Sequence, residues 1–174
     1  MRSLVYGALA LALLGGSGCR AKIGDSCRRS TDCSLQGDRT CDLSNRVNGQ
    51  GECTIEGCGR NSCPSEAACV KTYGTDFLSV SCDPEREDIS VVGADGVALP
   101  PLNACLPHEV CLAEGLCADE VSARTTCRRK WGDSGDCRGG YECRRTGTRG
   151  LYRTPDPENL DNLAQVDICV PRSG

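Results

Sequence analysis

Sixteen cysteines in 174 residues restrict this chain to a cross-linked fold, and the first of them, Cys19, closes the only long apolar run. Met1 and Arg2 give a short positive start, Leu4 to Leu14 is apolar, and residues 15–18 are glycine and serine. That is the layout of an export signal over residues 1–18. Eleven helical residues reach only ~16 Å, about half of a bilayer core, so the run is too short to span a membrane. No later segment is apolar enough to span as a helix.

Two cleavages are open at this point. Ser17 and Gly18, directly before Cys19, resemble the bacterial lipobox, although Gly16 stands where that motif usually carries Leu. Cleavage there would leave Cys19 as the acylated N-terminus, and acyl chains contribute ~0.8 kcal/mol per buried CH₂ toward membrane attachment. Cleavage by the ordinary signal peptidase would instead leave Cys19 to a disulfide. The short signal followed at once by cysteine makes Cys19 lipidation the expectation.

The chain after residue 18 has 174 − 18 = 156 residues, of which 26 are Leu, Ile, Val or Phe. That is about 17%, below what a self-sufficient core needs. Only Tyr73, Phe77, Trp131, Tyr141 and Tyr152 add aromatic bulk. The fifteen further cysteines are therefore disulfide candidates: Cys27, Cys33, Cys41, Cys53, Cys58, Cys63, Cys69, Cys82, Cys105, Cys111, Cys117, Cys127, Cys137, Cys143 and Cys169. Up to seven bridges at ~2–4 kcal/mol each would substitute for the missing core. No two cysteines are separated by two residues, so the CxxC pairs of zinc ribbons are absent, and neither metal nor cofactor is expected. The expected class is a small disulfide-rich fold of short β-hairpins and long loops, with little helix in the mature chain.

The spacing C-x5-C occurs at 27/33, 63/69, 105/111, 111/117 and 137/143. Two segments read as copies of one unit. CRRSTDC over 27–33 continues through Cys41 to GEC at 51–53; WGDSGDC over 131–137 continues through Cys143 to DIC at 167–169. Ser30 and Ser134 match, as do Asp32 and Asp136, residues whose side-chain oxygens close tight turns. Trp131 then stands where the first unit has Cys27. With Cys19 acylated, fifteen cysteines remain and one cannot pair within the chain. Either a cysteine was lost at position 131, leaving its former partner free or re-paired, or Cys127 takes over and the odd thiol lies in the middle; alternatively Trp131 is a local core anchor and the repeat is partly coincidental. The resulting organisation is a 1–18 signal, a 19–26 lipid-anchored tether, a 27–57 module, a different middle module over 58–120 with an 83–104 insert, and a 121–174 module.

Within the middle, ISVVGADGVAL predicts a hairpin at 89–99 turning at Asp95-Gly96, ended by Pro100 and Pro101. Thr72 to Val80 is rich in β-formers, and Pro107 to Gly115 could hold one helical turn with Glu109 near its start. The Cys82–Glu120 stretch is acidic with Arg86 as its one Arg or Lys, whereas Arg124–Arg153 carries nine basic residues against three acidic. Arg128, Arg129, Lys130, Arg144 and Arg145 could form one face for an anionic lipid or polysaccharide surface, or the two oppositely charged stretches could simply lie together. With so few aromatics, nucleic acid is not an expected partner.

Residues 132–136 read GDSGD, and GDSG surrounds the nucleophile of trypsin-like proteases. A serine nucleophile needs a base and an orienting acid. The one histidine, His108, lies in LPHEVC, which is not that family's histidine motif, and the repeat gives Ser134 a turn role. There is no P-loop, dinucleotide fingerprint or HExxH, so no catalytic activity is expected.

The signal together with CRRSTDC, GCGRNSCPSEAACV and DCRGGYEC resembles uncharacterised Cys-rich lipoproteins of large-genome Gram-negative bacteria. The segments 27–53 and 131–143 are similar in spacing to dickkopf N-terminal and WAP-type disulfide modules, with Trp131 departing from that pattern. The resemblance implies a lipid-anchored binding or structural protein of the cell envelope, at the outer membrane or cell surface. Its partners would be the membrane, through the N-terminal lipid, and a protein or polysaccharide. The alternative is a secreted disulfide-rich protease inhibitor or effector that uses a loop such as 83–104.

Overall fold

A computed structural model describes residues 20–74, 80–132, 137–154 and 165–172. It is a disulfide-rich assembly of short strands with one four-residue helix among the described residues. β1 (Ser26–Cys27), β3 (Gln50–Thr54) and β2 (Thr40–Val47) form one antiparallel sheet, with helix α1 (Ser30–Cys33) between β1 and β2. The β2–β3 turn is Asn48-Gly49, both at positive φ, the backbone that a two-residue hairpin of the strands' own twist demands. β4 (Ala67–Thr72) is the centre of a second sheet, flanked by β9 (Arg124–Arg129) and β11 (Leu151–Arg153). Among the described residues three two-stranded ladders complete the set: β5 (Val91–Val92) with β6 (Ala98–Leu99), β7 (Glu109–Cys111) with β8 (Cys117–Asp119), and β10 (Tyr141–Arg145) with β12 (Asp167–Pro171).

Four of these ladders set two cysteines directly opposite each other: Cys41 and Cys53, Cys69 and Cys127, Cys111 and Cys117, Cys143 and Cys169. No facing pair is bonded to itself. Cys27–Cys41 accompanies Cys33–Cys53, Cys58–Cys69 accompanies Cys63–Cys127, and Cys82–Cys111 accompanies Cys105–Cys117. Numbered along the chain, each quartet bonds first to third and second to fourth. The first-to-third bridges span 5.9, 5.8 and 5.9 Å between Cα atoms. In the last group Cys137–Cys169 is the second-to-fourth bridge, and its Cα separation of 5.4 Å equals those of Cys33–Cys53 and Cys105–Cys117. The fold is four copies of one quartet, with Trp131 in the place of a sixteenth member.

Backbone register supports this reading independently of sulfur. The residue before the first position bridges the residue before the fourth as Ser26–Glu52, Ser81–Leu116 and Lys130–Ile168; the second quartet differs by one residue, Glu56–Thr126. A β-turn follows the second cysteine in three copies, with Ala67 N donating to Pro64 O, Glu109 N to Leu106 O and Tyr141 N to Arg138 O. C-x5-C at 63/69, 105/111 and 137/143 encodes that turn and the strand after it. The same spacing at 27/33 joins first to second positions, and at 111/117 third to fourth.

The middle segment is thus not of different character. Its second quartet opens between Cys69 and Cys127 to enclose the whole third quartet, Cys82 to Cys117, and the 83–104 insert lies between positions one and two of that third quartet. Strands of the 58–120 and 121–174 segments share the β11–β4–β9 sheet. The hairpin expected at 89–99 is present as β5–β6, where Asp95 Oδ1 accepts from Val97 N at 3.1 Å. The helical turn expected within Pro107–Gly115 is instead strand β7: pairing with β8 and the bridges at Cys105 and Cys111 hold the chain extended, and Glu109 only closes the preceding turn by accepting Leu106 N. Of Thr72–Val80, Thr72 ends β4 and residues 75–79 lie outside the described residues.

Among the described residues, four small clusters take the place of a single core. One is Ile23, Cys58, Ala67, Cys69 and Cys127; a second is Val70, Leu151, Ile168 and Val170; a third is Cys27, Cys33 and Cys53; the fourth is Tyr73, Leu112 and Ala118. Sulfur fills two of them, as the shortage of aliphatic residues requires. Tyr73 and Tyr152 meet edge to face at 6.0 Å and lean their hydroxyls on Glu120 and Glu114. Burial, reinforced by these carboxylates, raises both phenols well above their ordinary pKa. This contact seats the β7–β8 hairpin on the central sheet.

Candidate functional site

The vacancy in the fourth quartet leaves Cys143 as the unbridged cysteine among the described residues. Of the two sequence alternatives, the structure adopts the loss at position 131: Cys127 is bonded to Cys63. Trp131 N donates to Asp167 O at 2.8 Å, just as Cys82 N donates to Gly115 O at 2.9 Å in the third quartet, so Trp131 occupies the first-cysteine position in register. The Cys143 thiol is exposed, and residual desolvation together with the nearby Asp167 carboxylate raises its pKa. At neutral pH it is a protonated, slow nucleophile rather than an activated one. Trp131→Cys is expected to supply the missing partner of Cys143 and close a bridge equivalent to Cys27–Cys41. Alkylation counting under non-reducing denaturation would find one thiol fewer than in the parent, with about 2 kcal/mol gained in denaturant unfolding.

Arg128 leaves the exposed basic face expected of Arg128, Arg129, Lys130, Arg144 and Arg145: only 8% of it is exposed, and its guanidinium pairs with Glu52 and, at 3.5 Å, with Asp42. It lies in β9 directly after Cys127, and the two carboxylates are facing partners on β2–β3. Burial disfavours its charge, and Asp42 offsets part of that cost. Burial would raise the Asp42 carboxyl, yet two hydrogen bonds from Ser44 and the charges of Arg128 and Arg124 hold it below its usual value. Arg129 approaches Asp25 at 3.5 Å, Lys130 Nζ donates to Ser65 O, and Arg144 pairs with Glu142 at 2.6 Å. Arg145 is exposed at the end of β10.

The segment expected as a tether is also different from residue 20 onward. Ile23 is 1% exposed within the first cluster, Arg20 pairs with Asp38, and Arg39 donates to Ala21 O. Cys19 itself lies outside the described residues, but the folded body starts one residue after it.

Two grooves stand out. One of about 550 Å³ runs between β2 and β9, lined by Asp42, Ser44, Glu56, Thr72, Arg124 and Arg128 among others. Its lining contains no His or Cys, and its buried cation already faces two carboxylates. The other, about 650 Å³, is lined by Arg20, Lys22, Asp25, Arg129 and Arg138 with small residues between them. The 83–104 insert and its flanks expose aliphatic side chains: Val80, Ile89, Val92, Val97, Leu99, Leu102 and Leu106, with Val92 at 72%. Composition alone does not show which side chains the fold leaves exposed, so this concentration was not legible in the sequence.

Asp32 accepts the Arg28 and Arg29 amides at 2.9 and 3.2 Å, and the first of these bonds leads in holding its carboxyl low. Ser30 Oγ accepts Cys41 N at 3.2 Å. Asp32 has the turn role read from the sequence, whereas the Ser30 side chain instead ties the helix to β2; their counterparts Ser134 and Asp136 lie outside the described residues. His108 contributes a backbone carbonyl to Glu120 N. Three sulfurs of each complete quartet lie within 4.8 Å of one another, but as disulfides they offer no thiolate to a metal.

The fold defines a small disulfide-rich protein built from a repeated first-to-third, second-to-fourth cysteine unit. Compared with known proteins, the chain matches no family model, no curated protein and no solved structure.

Proposed function

We propose that this is a lipid-anchored binding or structural protein of the cell envelope, at the outer membrane or cell surface, without catalytic activity. Cys19 carries the lipid and the disulfide body presents the 83–104 insert to a protein or polysaccharide partner. The observation that carries the binding role is the concentration of exposed aliphatic residues on that insert, held at its base by Cys82–Cys111 and Cys105–Cys117. Apolar side chains gathered together in water, unlike ones scattered singly, mark a contact surface. Detergent phase separation with the mass of the N-terminal peptide tests the anchor: recovery in the detergent phase with an acylated Cys19 is expected, and an aqueous protein with unmodified Cys19 would end that reading.

The insert is tested by Val92→Asp/Val97→Asp. Stability should change by no more than about 0.5 kcal/mol, because both side chains are already in water, while photo-crosslinking from position 89 to envelope components should fall at least fivefold. Unchanged crosslinking would remove the insert from the binding role. The same insert supports a second reading, a secreted protease inhibitor, which inhibition of a protease panel would favour. Hydrolysis abolished by Ser134→Ala would overturn the non-catalytic reading.

A further inference from the structure

We infer that the groove beside the N-terminus seats anionic lipid headgroups of the membrane that holds the Cys19 acyl chains. The inference rests on the lipoprotein reading for its geometry. Consecutive Cα atoms are ~3.8 Å apart, so a lipid on Cys19 brings the membrane surface to the body at Arg20. No slack remains to take it away, because Ile23 is locked in the core and Arg20 and Ala21 are bonded to Asp38 and Arg39.

The surface beside Arg20 is the 650 Å³ groove, where Arg20, Lys22, Arg129 and Arg138 surround one lining carboxylate, Asp25. Asp38 neutralises Arg20 at the rim, and Asp25 is 3.5 Å from Arg129. Arg138 donates to Gly51 O at 2.8 Å and lies 4.4 Å over the Tyr141 ring. These six charges leave a balance of +2. Lys22 is exposed, and its backbone amide rather than its ammonium contacts Asp25. A cationic concavity at the anchor point is complementary to lipid phosphates, and basic residues close to an anionic leaflet each strengthen attachment by about fivefold.

The test uses the mature chain with Cys19→Ser, exported through an ordinary signal, so that headgroup binding is read without acyl chains. Co-sedimentation is measured with phosphatidylcholine vesicles and with vesicles also containing phosphatidylglycerol. Binding to the anionic vesicles alone is expected, reduced at least tenfold by Lys22→Glu/Arg129→Gln and screened by salt. Arg145→Glu, at the far end of β10, should leave it nearly unchanged. Equal binding to both vesicles, no loss in the double variant, or an equal loss in Arg145→Glu would overturn the inference. Should the double variant not fold, Lys22→Glu alone, at an exposed side chain, decides the question in the same way. The N-terminal mass of the natural protein separately decides the lipoprotein reading.

Discussion

Replacing Cys63 and Cys127 together by alanine is expected to cost about 3–4 kcal/mol, the largest loss from any one bridge of the fold. The two residues are 64 positions apart, the longest separation among the seven bridges of the described residues, and the cost of releasing a cross-link grows with the loop it closes. The nested bridges Cys82–Cys111 and Cys105–Cys117 shorten that loop in effect, which keeps the figure below the full-loop limit. The bridge also joins the turn before β4 to β9, and Cys127 sits at 1% exposure in the first cluster. Removing Cys58–Cys69, with a separation of 11, should cost about 3 kcal/mol or less. Denaturant unfolding under non-reducing conditions would measure both. A larger loss for the short bridge would mean that the length of the closed loop does not set the cost of releasing it.

Arg128→Ala is expected to destabilise by about 3–5 kcal/mol, because it leaves Glu52, and in part Asp42, buried without their cation. Arg128→Met with Glu52→Gln should recover much of this, since the penalty belongs to the uncompensated charge. The pH dependence follows from Asp42, whose folded pKa lies below its unfolded value. Its contribution is present above the unfolded value near 4 and is lost as pH falls through the depressed folded value. In Arg128→Ala the stranded carboxylates protonate more readily, so the gap from the parent should narrow as pH falls toward the unfolded value of about 4. A gap that widens with acid would mean that Arg128 does not act through these carboxylates. Thermal unfolding across that range measures it.

Much of the architecture was legible because cysteine spacing is a chemical constraint. Trp131 marked the vacancy, and Asp95-Gly96 marked the hairpin. The full fourfold repeat was hidden because a 22-residue insert separates Cys82 from Cys105 and because one quartet interrupts another. C-x5-C spacing by itself does not mark the quartets, since it joins different quartet positions in different places. Arg128 could not be told from its neighbours: in Arg128-Arg129-Lys130 alternation along a strand turns adjacent side chains to opposite faces, and only pairing shows which face is buried. The packing of residues 20–26 was not legible because Ile23 is a lone aliphatic residue whose burial depends on β4 and β9, far along the chain.

The most direct test is peptide mapping of the purified natural protein by mass spectrometry, alkylated under non-reducing denaturing conditions. The expected result is seven bridges paired first to third and second to fourth, Cys137 joined to Cys169, one alkyl group on Cys143, and an acyl mass on Cys19. A bridge at Cys143, to Cys19 or to any other cysteine of the chain, or a free thiol elsewhere, would contradict it.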